Sequence, residues 1–246
     1  MKQSIFKIIS NEPLNASVSK MALSGDTAAC VCGGFVDTAL TGKFLRRPIS
    51  VCDVEGDILT IIYKVVGKGT EQLAKLQSGE ELDLLTGLGN GYDLSLSGET
   101  PLLIGGGVGV PPMYLLAKKL IAAGKEVSAI LGFNTKDEIF YKNEFEALGA
   151  KVTVTTADGS EGIRGFVTDA MRELSYSYIY TCGPEPMLRA VYAASATSAQ
   201  FSFEERMGCG FGACMGCSCK TITGYKRICK EGPVLKKEEI LWEAYV

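Results

Sequence analysis

The sequence predicts a β plus α/β protein, in which an N-terminal antiparallel barrel is followed by a doubly wound parallel sheet and a small C-terminal module. Up to residue 98, short β-branched and aromatic stretches are separated by Gly, Asp and Pro. Between residues 99 and 199, apolar strands alternate with helical stretches, and the remaining residues contain a dense group of cysteines. We therefore predict three units, spanning residues 1–98, 99–199 and 200–246.

The composition of the chain argues against several classes of function. The chain has 246 residues, of which 46% are hydrophobic and 22% charged, as is usual for a globular protein. Its net charge of -3 gives no electrostatic reason to expect binding to nucleic acid. No run of about 18 apolar residues is present, and the first residues lack the pattern of a signal peptide. We therefore expect a cytoplasmic protein that neither spans nor binds a membrane.

The chain contains no histidine and nine cysteines. Without histidine, Ser-His-Asp or Cys-His hydrolysis, histidine-ligated zinc and Rieske-type clusters are excluded. Chemistry that a redox cofactor performs needs no histidine and stays open. An odd number of cysteines in a reducing compartment does not predict a disulfide framework.

In the first unit, the clearest strand is predicted over residues 58–66, where β-branched and aromatic residues form an apolar run. A short helix is predicted over residues 70–76, with Thr70 as its N-cap. Extended stretches with Gly-rich turns follow. Several short strands and one short helix are typical of a small antiparallel barrel.

The second unit begins with the apolar strand PLLIGG, a glycine turn and a helix whose first turn contains Pro111 or Pro112. Further strands are predicted in EVSAILGF, KVTVTT and SYIYTCG. Helices are predicted in DEIFYKNEFEALG, GFVTDAMREL and PEPMLRAVYAASA. This alternation of strands and helices indicates a parallel, doubly wound sheet.

The third unit contains GCGFGACMGCSCK, in which four cysteines occur within thirteen residues. The spacing Cys209-x4-Cys214-x2-Cys217-x11-Cys229 matches the ligand spacing of plant-type [2Fe-2S] proteins. The intervening glycines allow positive φ angles and close approach of the backbone, so that main-chain N–H groups can point at the sulfur atoms. The spacing therefore predicts a [2Fe-2S] cluster with these four ligands.

Other interpretations of the cysteines stay open. A structural zinc site usually uses paired Cys-x2-Cys knuckles, of which this chain has one, and a disulfide staple is not expected in a reducing cytoplasm. Cys219 is the spare cysteine of the group. It could take the place of Cys229 as a ligand, but we predict that it is a packed thiol.

Two motifs in the first unit suggest a flavin nucleotide. In RRPIS, an arginine and a serine three residues later can place a guanidinium on a pyrophosphate and a hydroxyl near a ring nitrogen. In GKGT, residues 67–70, glycine and exposed N–H groups suit a phosphate. Each motif alone also fits an ordinary structure: a basic strand edge before proline in the first case, and a loop with a helix cap in the second.

A glycine turn in the second unit suggests a second nucleotide. IGGGVGVPP, residues 104–112, follows the first strand of the predicted sheet, at the carboxyl edge where such sheets bind nucleotides. TCGP ends a later strand at the same edge, where Cys182 could lie near a nicotinamide ring, although a small buried cysteine is at least as common there. The sequence does not distinguish NAD from NADP.

The order of RPIS, GKGT, GGGVGVPP, CGP and the cysteine motif resembles that of the ferredoxin-reductase-type flavoproteins. Among them, the chain is most similar to the electron-transfer subunits of dihydroorotate dehydrogenase B. The resemblance covers nearly the whole chain, and GCGFGACMGCSCK…RICKEGPV is its most specific part. The chain departs from many members of the wider superfamily at Ile49, where they have an aromatic residue.

The resemblance implies three cofactors, each with its own residues, and no catalytic acid or base in this chain. The [2Fe-2S] cluster would be held by Cys209, Cys214, Cys217 and Cys229. The residues implied in FAD binding are Arg47, Pro48, Ile49, Ser50, Ile62, Tyr63, Lys64, Gly69 and Thr70. The residues expected around NAD are Gly105, Gly106, Gly107, Gly109, Cys182, Gly183 and Pro184.

The resemblance also implies a partner. In that family, an FMN-containing catalytic subunit oxidises dihydroorotate to orotate in pyrimidine biosynthesis, and electrons pass through the cluster and FAD to NAD. The implied assembly is a heterotetramer of two subunits of each kind, and this chain would not hold the dihydroorotate site. Two alternatives remain: a related subunit of a sulfite reductase or a ferredoxin:NADP transhydrogenase, whose first cluster ligand can differ from Cys209, and a zinc-stabilised binding module without redox activity.

Overall fold

A computed structural model of the chain describes residues 1–242. It contains a closed antiparallel barrel, a larger, mainly parallel sheet flanked by helices, and a cysteine-rich C-terminal segment. The predicted fold class is therefore confirmed. Within the described residues, no helix combines the length and the apolar character needed to cross a membrane.

The barrel has six strands. They are β1 (Lys2–Pro13), β2 (Val18–Ser24), β3 (Phe35–Thr38), β4 (Arg47–Glu55), β5 (Ile58–Lys64) and β6 (Glu81–Leu88). They close in the order β1-β2-β5-β4-β3-β6, and neighbouring strands are antiparallel. Buried and more exposed residues alternate along β6, as expected for a strand with one face in a core. Phe6, Met21 and Ile61 are among the fully buried residues of that core.

A short helix, α1 (Lys68–Leu73), connects β5 to β6. The predicted helix over residues 70–76 is therefore displaced, and the prediction of Thr70 as its N-cap is wrong, because Gly67 occupies that position. Thr70 Oγ1 instead accepts hydrogen bonds from the backbone N–H groups of Val66 and Gly67, at 2.9 and 3.3 Å. The threonine thus closes the turn before the helix from a position inside its first turn.

The second sheet has seven strands. They are, in chain order, β7 (Leu102–Gly106), β8 (Ser128–Phe133), β9 (Lys151–Thr156), β10 (Ile163–Arg164), β11 (Ile179–Cys182), β12 (Ala199–Ser202) and β15 (Val234–Lys236). A hairpin of two further strands, β13 (Ser218–Thr221) and β14 (Gly224–Arg227), precedes β15. The sheet order is β10-β9-β8-β7-β11-β12-β15, and every neighbouring pair is parallel except β12 with β15.

Helices cover both faces of this sheet, as the predicted doubly wound arrangement requires. They are α2 (Pro111–Ala122), α3 (Lys142–Ala147), α4 (Val167–Met171) and α5 (Glu185–Ala194). Leu103 packs in one hydrophobic core with residues of α2 and α3, whereas its neighbour Ile104 packs in another with residues of α4 and α5. Successive residues of a strand point to opposite faces, so one strand serves two cores.

The stretch DEIFYKNEFEALG, predicted as one helix, is interrupted. A 3-10 turn covers Lys136–Glu138, and α3 begins only at Lys142 because Tyr141 has a left-handed backbone with φ of 65°. The Tyr141 ring packs edge-on against Tyr114, with 5.1 Å between ring centroids, and its hydroxyl is hydrogen-bonded to the Cys52 thiol of the barrel. These contacts between the barrel and the second sheet outweigh the local helical preference.

The C-terminal segment is joined to the rest of the fold. Its last strand, β15, pairs with β12, and the predicted limit between residues 199 and 200 falls inside β12. Asn90, just after β6, links the C-terminal segment to the barrel. Its Nδ2 donates hydrogen bonds to the Glu231 and Val234 carbonyls at 3.0 and 2.7 Å. The unit limits stay predictions, and the last four residues of the predicted 200–246 unit lie outside the described residues.

Candidate functional site

The four predicted cluster ligands come from one loop and one turn. Cys209 and Cys214 lie in an irregular loop, Cys217 immediately precedes β13, and Cys229 lies in the turn that follows β14. Cys217 and Cys229 are buried, with 2% and 1% of their surface exposed, whereas Cys214 is exposed. All four lie within the described residues, and none of these four forms a disulfide.

The four thiols lie in two pairs. The Cys214 thiol is near enough to Cys209 to lower the pKa of that thiol, and the Cys217 thiol is near enough to Cys229 to raise the pKa of that one. Main-chain N–H groups point at them: those of Ala213 and Cys214 donate to Cys209 Sγ at 3.2 and 3.4 Å. The N–H of Cys229 donates to Cys217 Sγ at 3.4 Å. These donors would stabilise thiolate sulfur in a bound cluster.

The thiols of Cys209 and Cys229 differ in pKa. Burial acts to raise the pKa of Cys209, but hydrogen bonds from the N–H groups of Cys214 and Phe211 outweigh it, and the pKa falls to about 6. Burial, with the Cys217 thiol beside it, raises the pKa of Cys229 to about 12. The exposed end of the loop therefore favours thiolate more strongly than the buried end.

The donor set fits a two-iron cluster. Each iron of a [2Fe-2S] cluster with four cysteine ligands takes two thiolates, so two thiol pairs are what such a cluster needs. Among residues 1–242, no three His, Cys, Asp or Glu side chains are grouped around the position of a single metal ion. Cys219, predicted to be a packed thiol, is 7% exposed on β13.

Arg227 stabilises the conformation of the cysteine loop. Its Nη1 donates to the Gly212 carbonyl at 2.7 Å, and its Nε donates to Glu231 at 2.9 Å. That guanidinium lowers the pKa of the Glu231 carboxyl to about 2, so the ion pair persists at neutral pH. Gly212 has φ of 93°, and a Cβ there would lie 2.7 Å from Lys230 Cδ, so the chain needs glycine at this position.

On the barrel, the structure brings the two flavin motifs together. The Arg47 guanidinium lies against Gly69 of α1, where a Cβ would collide with Arg47 Nε. It donates to the carbonyls of Leu45 and Arg46, at 2.5 and 3.1 Å. Pro48, Ile49 and Ser50 follow along β4 and are all partly exposed. The Arg47 guanidinium and the glycine backbone of α1 thus lie side by side, as a phosphate site requires.

The side chains of the neighbouring strand, β5, are less available to a flavin than predicted. Ile62 and Tyr63 are 3% and 2% exposed, and the Tyr63 hydroxyl donates to Asn11 Oδ1 at 2.7 Å. Lys64 is exposed. Contacts of this strand with a flavin would therefore involve its main chain or Lys64, because the other two side chains are in the barrel core.

The glycine turn and the TCGP stretch meet at the carboxyl edge of the second sheet. Gly105 is the register partner of Cys182, and a Cβ on Gly109 would collide with the Cys182 carbonyl. Gly106 and Gly183 lie under the Met187 side chain, whereas Gly107 faces open space with φ of 52°. Pro184 Cδ would be 3.2 Å from a Cβ on Gly106. The sequence-predicted NAD residues are thus neighbours in one crevice.

Two features of this crevice restrict its chemistry. Helix α2 starts with Pro111 and Pro112, which have no N–H, so the turn before the helix is the source of main-chain donors. Burial raises the pKa of Cys182 to about 12, against a smaller opposing effect of its hydrogen bond with Ser202. The thiol therefore stays neutral near pH 7 and is not an activated nucleophile.

One buried charge was not anticipated from the sequence. Asp37, on β3, is the register partner of Pro48 in the RPIS motif and is 2% exposed. Its carboxylate lies against Gly210 of the cysteine loop, where a Cβ would collide with Oδ2. Burial raises its pKa to about 6, although Arg46 acts in the opposite direction. A single Asp in the strand FVDT gives no local signal of this contact.

Two family models match the chain. The iron-sulfur cluster binding domain of dihydroorotate dehydrogenase B matches residues 204–241, and the oxidoreductase NAD-binding domain matches residues 103–193. Three relatives bear the name dihydroorotate dehydrogenase B (NAD(+)), electron transfer subunit. That of Geobacillus sp. is 40% identical over 98% of this chain and 99% of its own. That of Bacillus pumilus is 41% identical over 98% of both chains, and that of Fusobacterium nucleatum 45% over 80% of both.

Solved structures agree on the fold. A chain from the structure of the NADH-dependent reduced ferredoxin-NADP oxidoreductase, studied for flavin-based electron bifurcation, superposes with a TM-score of 0.87. It is 29% identical, over 97% of this chain and 90% of that one. The ferredoxin NADP+ reductase of Neisseria gonorrhoeae, solved with bound FAD and NADP, has a TM-score of 0.68 at 17% identity, over 79% and 90% of the two chains.

Proposed function

This chain belongs to the family of dihydroorotate dehydrogenase B electron transfer subunits, and we propose that it delivers electrons from dihydroorotate, oxidised on a partner subunit, to NAD⁺ in pyrimidine biosynthesis. Its cofactors are FAD and a [2Fe-2S] cluster; when bound, FAD supplies hydride transfer and the cluster one-electron transfer. The observation that carries the proposal is the contact between the cysteine loop and the β3–β4 strand pair that contains RPIS.

In this proposal, the pair Cys209 and Cys214 and the pair Cys217 and Cys229 would together hold the two irons of the cluster. The pairing of the thiols and the N–H groups directed at Cys209 and Cys217 support it. Burial of the second pair keeps water from those ligands, and exposure of Cys214 leaves one edge of the site open for exchange of electrons with a partner. The reducing cytoplasm is the proposed location, because it keeps these thiols reduced before iron binds.

Arg47 is the proposed anchor of the FAD pyrophosphate. Its neighbour Arg46 is engaged elsewhere, since both of its terminal nitrogens donate to Asp83 at 3.1 Å. Among residues 1–242, Arg47 donates only to the carbonyls of Leu45 and Arg46, and Gly69 lies directly beside its guanidinium. A phosphate placed there would meet a guanidinium and glycine backbone together. Ser50, three residues along β4, is the proposed donor to the flavin ring.

NAD is proposed to bind the crevice lined by Gly105, Gly107, Gly109 and Cys182. We expect NADH to bleach the flavin of the purified, FAD-loaded chain under anaerobic conditions. Gly109→Ala should slow this bleaching by about tenfold or more, because a misplacement of about 1 Å in such a site can cost about 100-fold in rate, and the new Cβ collides with the Cys182 carbonyl.

Stopped-flow absorbance of the flavin band measures both rates. The flavin content of Gly109→Ala is the control, since Gly109 lies outside the RPIS and GKGT motifs and the substitution should leave FAD bound. Absence of bleaching in the unaltered, FAD-loaded chain would contradict the proposed nucleotide site.

The proposed partner is an FMN-containing subunit that oxidises dihydroorotate, in an assembly of two subunits of each kind. An apolar docking strip supports such a partner: residues 207–219 contain no Asp, Glu, Lys or Arg, and Phe211 and Met215 are 41% and 53% exposed. Apolar side chains exposed around a cluster suit an interface that excludes water from the path of an electron. The docking strip consists of Phe211, Ala213, Cys214, Met215 and Gly216, all exposed.

Phe211→Asp is expected to weaken the complex with that subunit, because it places a charge in the centre of the docking strip. Co-elution of the two purified subunits in size-exclusion chromatography measures the effect, and the cluster content of the variant should stay unchanged. Phe166→Asp, at a side chain 68% exposed immediately before α4, is the matched control. Unaltered co-elution of Phe211→Asp would refute the docking strip.

The alternative assignments are not retained. Relatives that cover 98% of the chain at 40–41% identity bear the dihydroorotate dehydrogenase B name, which favours this family over a sulfite reductase or transhydrogenase subunit. Cys209 stands at the first ligand position, where the transhydrogenase-type relatives can have another residue. The matches to an iron-sulfur cluster binding domain and to an NAD-binding domain argue against a zinc-stabilised module without redox activity.

A further inference from the structure

We propose that Asp37 sets the reduction potential of the cluster from the barrel side, its negative charge making the cluster harder to reduce. The inference rests on the proposed function, because it needs the cysteine loop to hold a [2Fe-2S] cluster. Asp37 is neither a ligand nor a catalytic group, and acts on the cluster through its position beside the loop.

The first support is the position of the carboxylate. Asp37 lies on β3, and its Oδ2 packs so closely against Gly210 that no side chain fits there. Gly210 has φ of 76° and follows Cys209 directly, so the carboxylate is next to the backbone of the first ligand. A thiolate of Cys209 bound to iron would therefore lie within the field of this carboxylate.

The second support is that no structural role explains the burial of the Asp37 carboxylate among the described residues. Its Oδ1 is buried and accepts no hydrogen bond from any of the residues that the structure describes. Burial of a polar atom without a partner costs stability, and a neutral or apolar side chain would avoid that cost. The nearby cations Arg46 and Arg47 do not form an ion pair with the carboxylate, although both favour its charged form. Such an atom calls for a functional explanation.

The physical effect has a definite sign. A cluster with four thiolate ligands becomes more negative when it accepts an electron, and a buried carboxylate nearby opposes that change. Charge and hydrogen bonding around a cluster are the means by which a protein adjusts its potential. Asp37 also lies on the same sheet face as its register partner Pro48, on the FAD-binding motif. Asp37 is therefore adjacent to both the cysteine loop and the FAD-binding motif.

The test is a redox titration of the purified holo-chain, with dithionite as reductant and the EPR signal of the reduced cluster as the readout, at mildly alkaline pH. Asp37→Asn is expected to shift the cluster midpoint potential upwards while the iron and sulfide content stays at the parent level. Asp37→Glu keeps the charge and should remain nearer the parent potential. Asp53→Asn is the matched control, since Asp53 lies in the same barrel but forms an ion pair with Lys118 at 3.1 Å.

Three results would overturn the inference. An Asp37→Asn protein with a full cluster and the parent potential would show that the charge has no effect on reduction. An equal shift in Asp53→Asn would show that the effect is not specific to this position. Loss of the cluster in Asp37→Asn would make Asp37 a support of the loop. A parent chain with bound FAD but no cluster EPR signal would instead refute the proposed function, and the inference with it, so the two failures are distinguishable.

Discussion

Serine at Cys209, Cys214, Cys217 or Cys229 is expected to remove the iron–sulfur cluster while FAD stays bound. Iron content should fall from about two atoms per chain to near zero, because a [2Fe-2S] cluster needs all four thiolates. The buried pair should show the effect most strongly, since Cys217 and Cys229 are 2% and 1% exposed and no solvent ligand can readily replace them. Iron and acid-labile sulfide analysis, with the visible spectrum, measures the loss.

Cys219→Ser is the matched control for this series. Cys219 is two residues from Cys217 and is also buried, but the thiol of Cys217 is paired with that of Cys229. We expect the Cys219→Ser protein to keep its cluster at the parent level. Loss of the cluster in Cys219→Ser, together with its retention in Cys229→Ser, would show that the fourth ligand has been assigned to the wrong cysteine.

Arg47→Ala is expected to weaken FAD binding without loss of the fold. A hydrogen bond to a charged group contributes about 1.5–3 kcal/mol, so the Kd for FAD should rise about 10- to 100-fold. The barrel should remain intact, because the only hydrogen bonds that Arg47 donates within the described part of the chain go to the carbonyls of its neighbours Leu45 and Arg46. Flavin content after gel filtration and fluorescence titration of the apoprotein with FAD measure the change.

The neighbouring arginine provides the control. Arg46 is paired with Asp83 at 3.1 Å and does not face the proposed pyrophosphate position. Arg46→Ala should therefore lower thermal stability with a smaller effect on FAD affinity. Unchanged flavin content in Arg47→Ala, or a larger loss in Arg46→Ala, would contradict the role given to Arg47.

Features that depend only on residues close together in the sequence were predictable. The Cys-x4-Cys-x2-Cys run lies on one loop whose geometry depends on its own glycines, such as Gly212 with φ of 93°. The glycine turn after β7 and the proline start of α2 were predictable for the same reason, since both follow from local backbone preferences. The alternation of strands and helices then determined the class of the second sheet.

Features that depend on distant contacts were not predictable. Asp37 meets Gly210 across more than half the chain, and nothing near either residue in the sequence indicates the contact. Tyr141 interrupts a helical pattern because it packs against Tyr114 and bonds to the barrel. The pairing of β15 with β12 likewise joins the cysteine segment to the larger sheet, which composition alone does not reveal. Tertiary contacts of this kind override local propensity.

The central claim is that this chain carries electrons from a dihydroorotate-oxidising subunit to NAD⁺. The most direct measurement mixes the purified FAD- and iron-loaded chain with a purified FMN-containing subunit of that kind, adds dihydroorotate and NAD⁺ without oxygen, and follows the absorbance of NADH. The account predicts NADH formation only when both subunits are present, with none from either alone. No NADH from the combined, fully loaded subunits, or equal NADH from the FMN subunit alone, would contradict it.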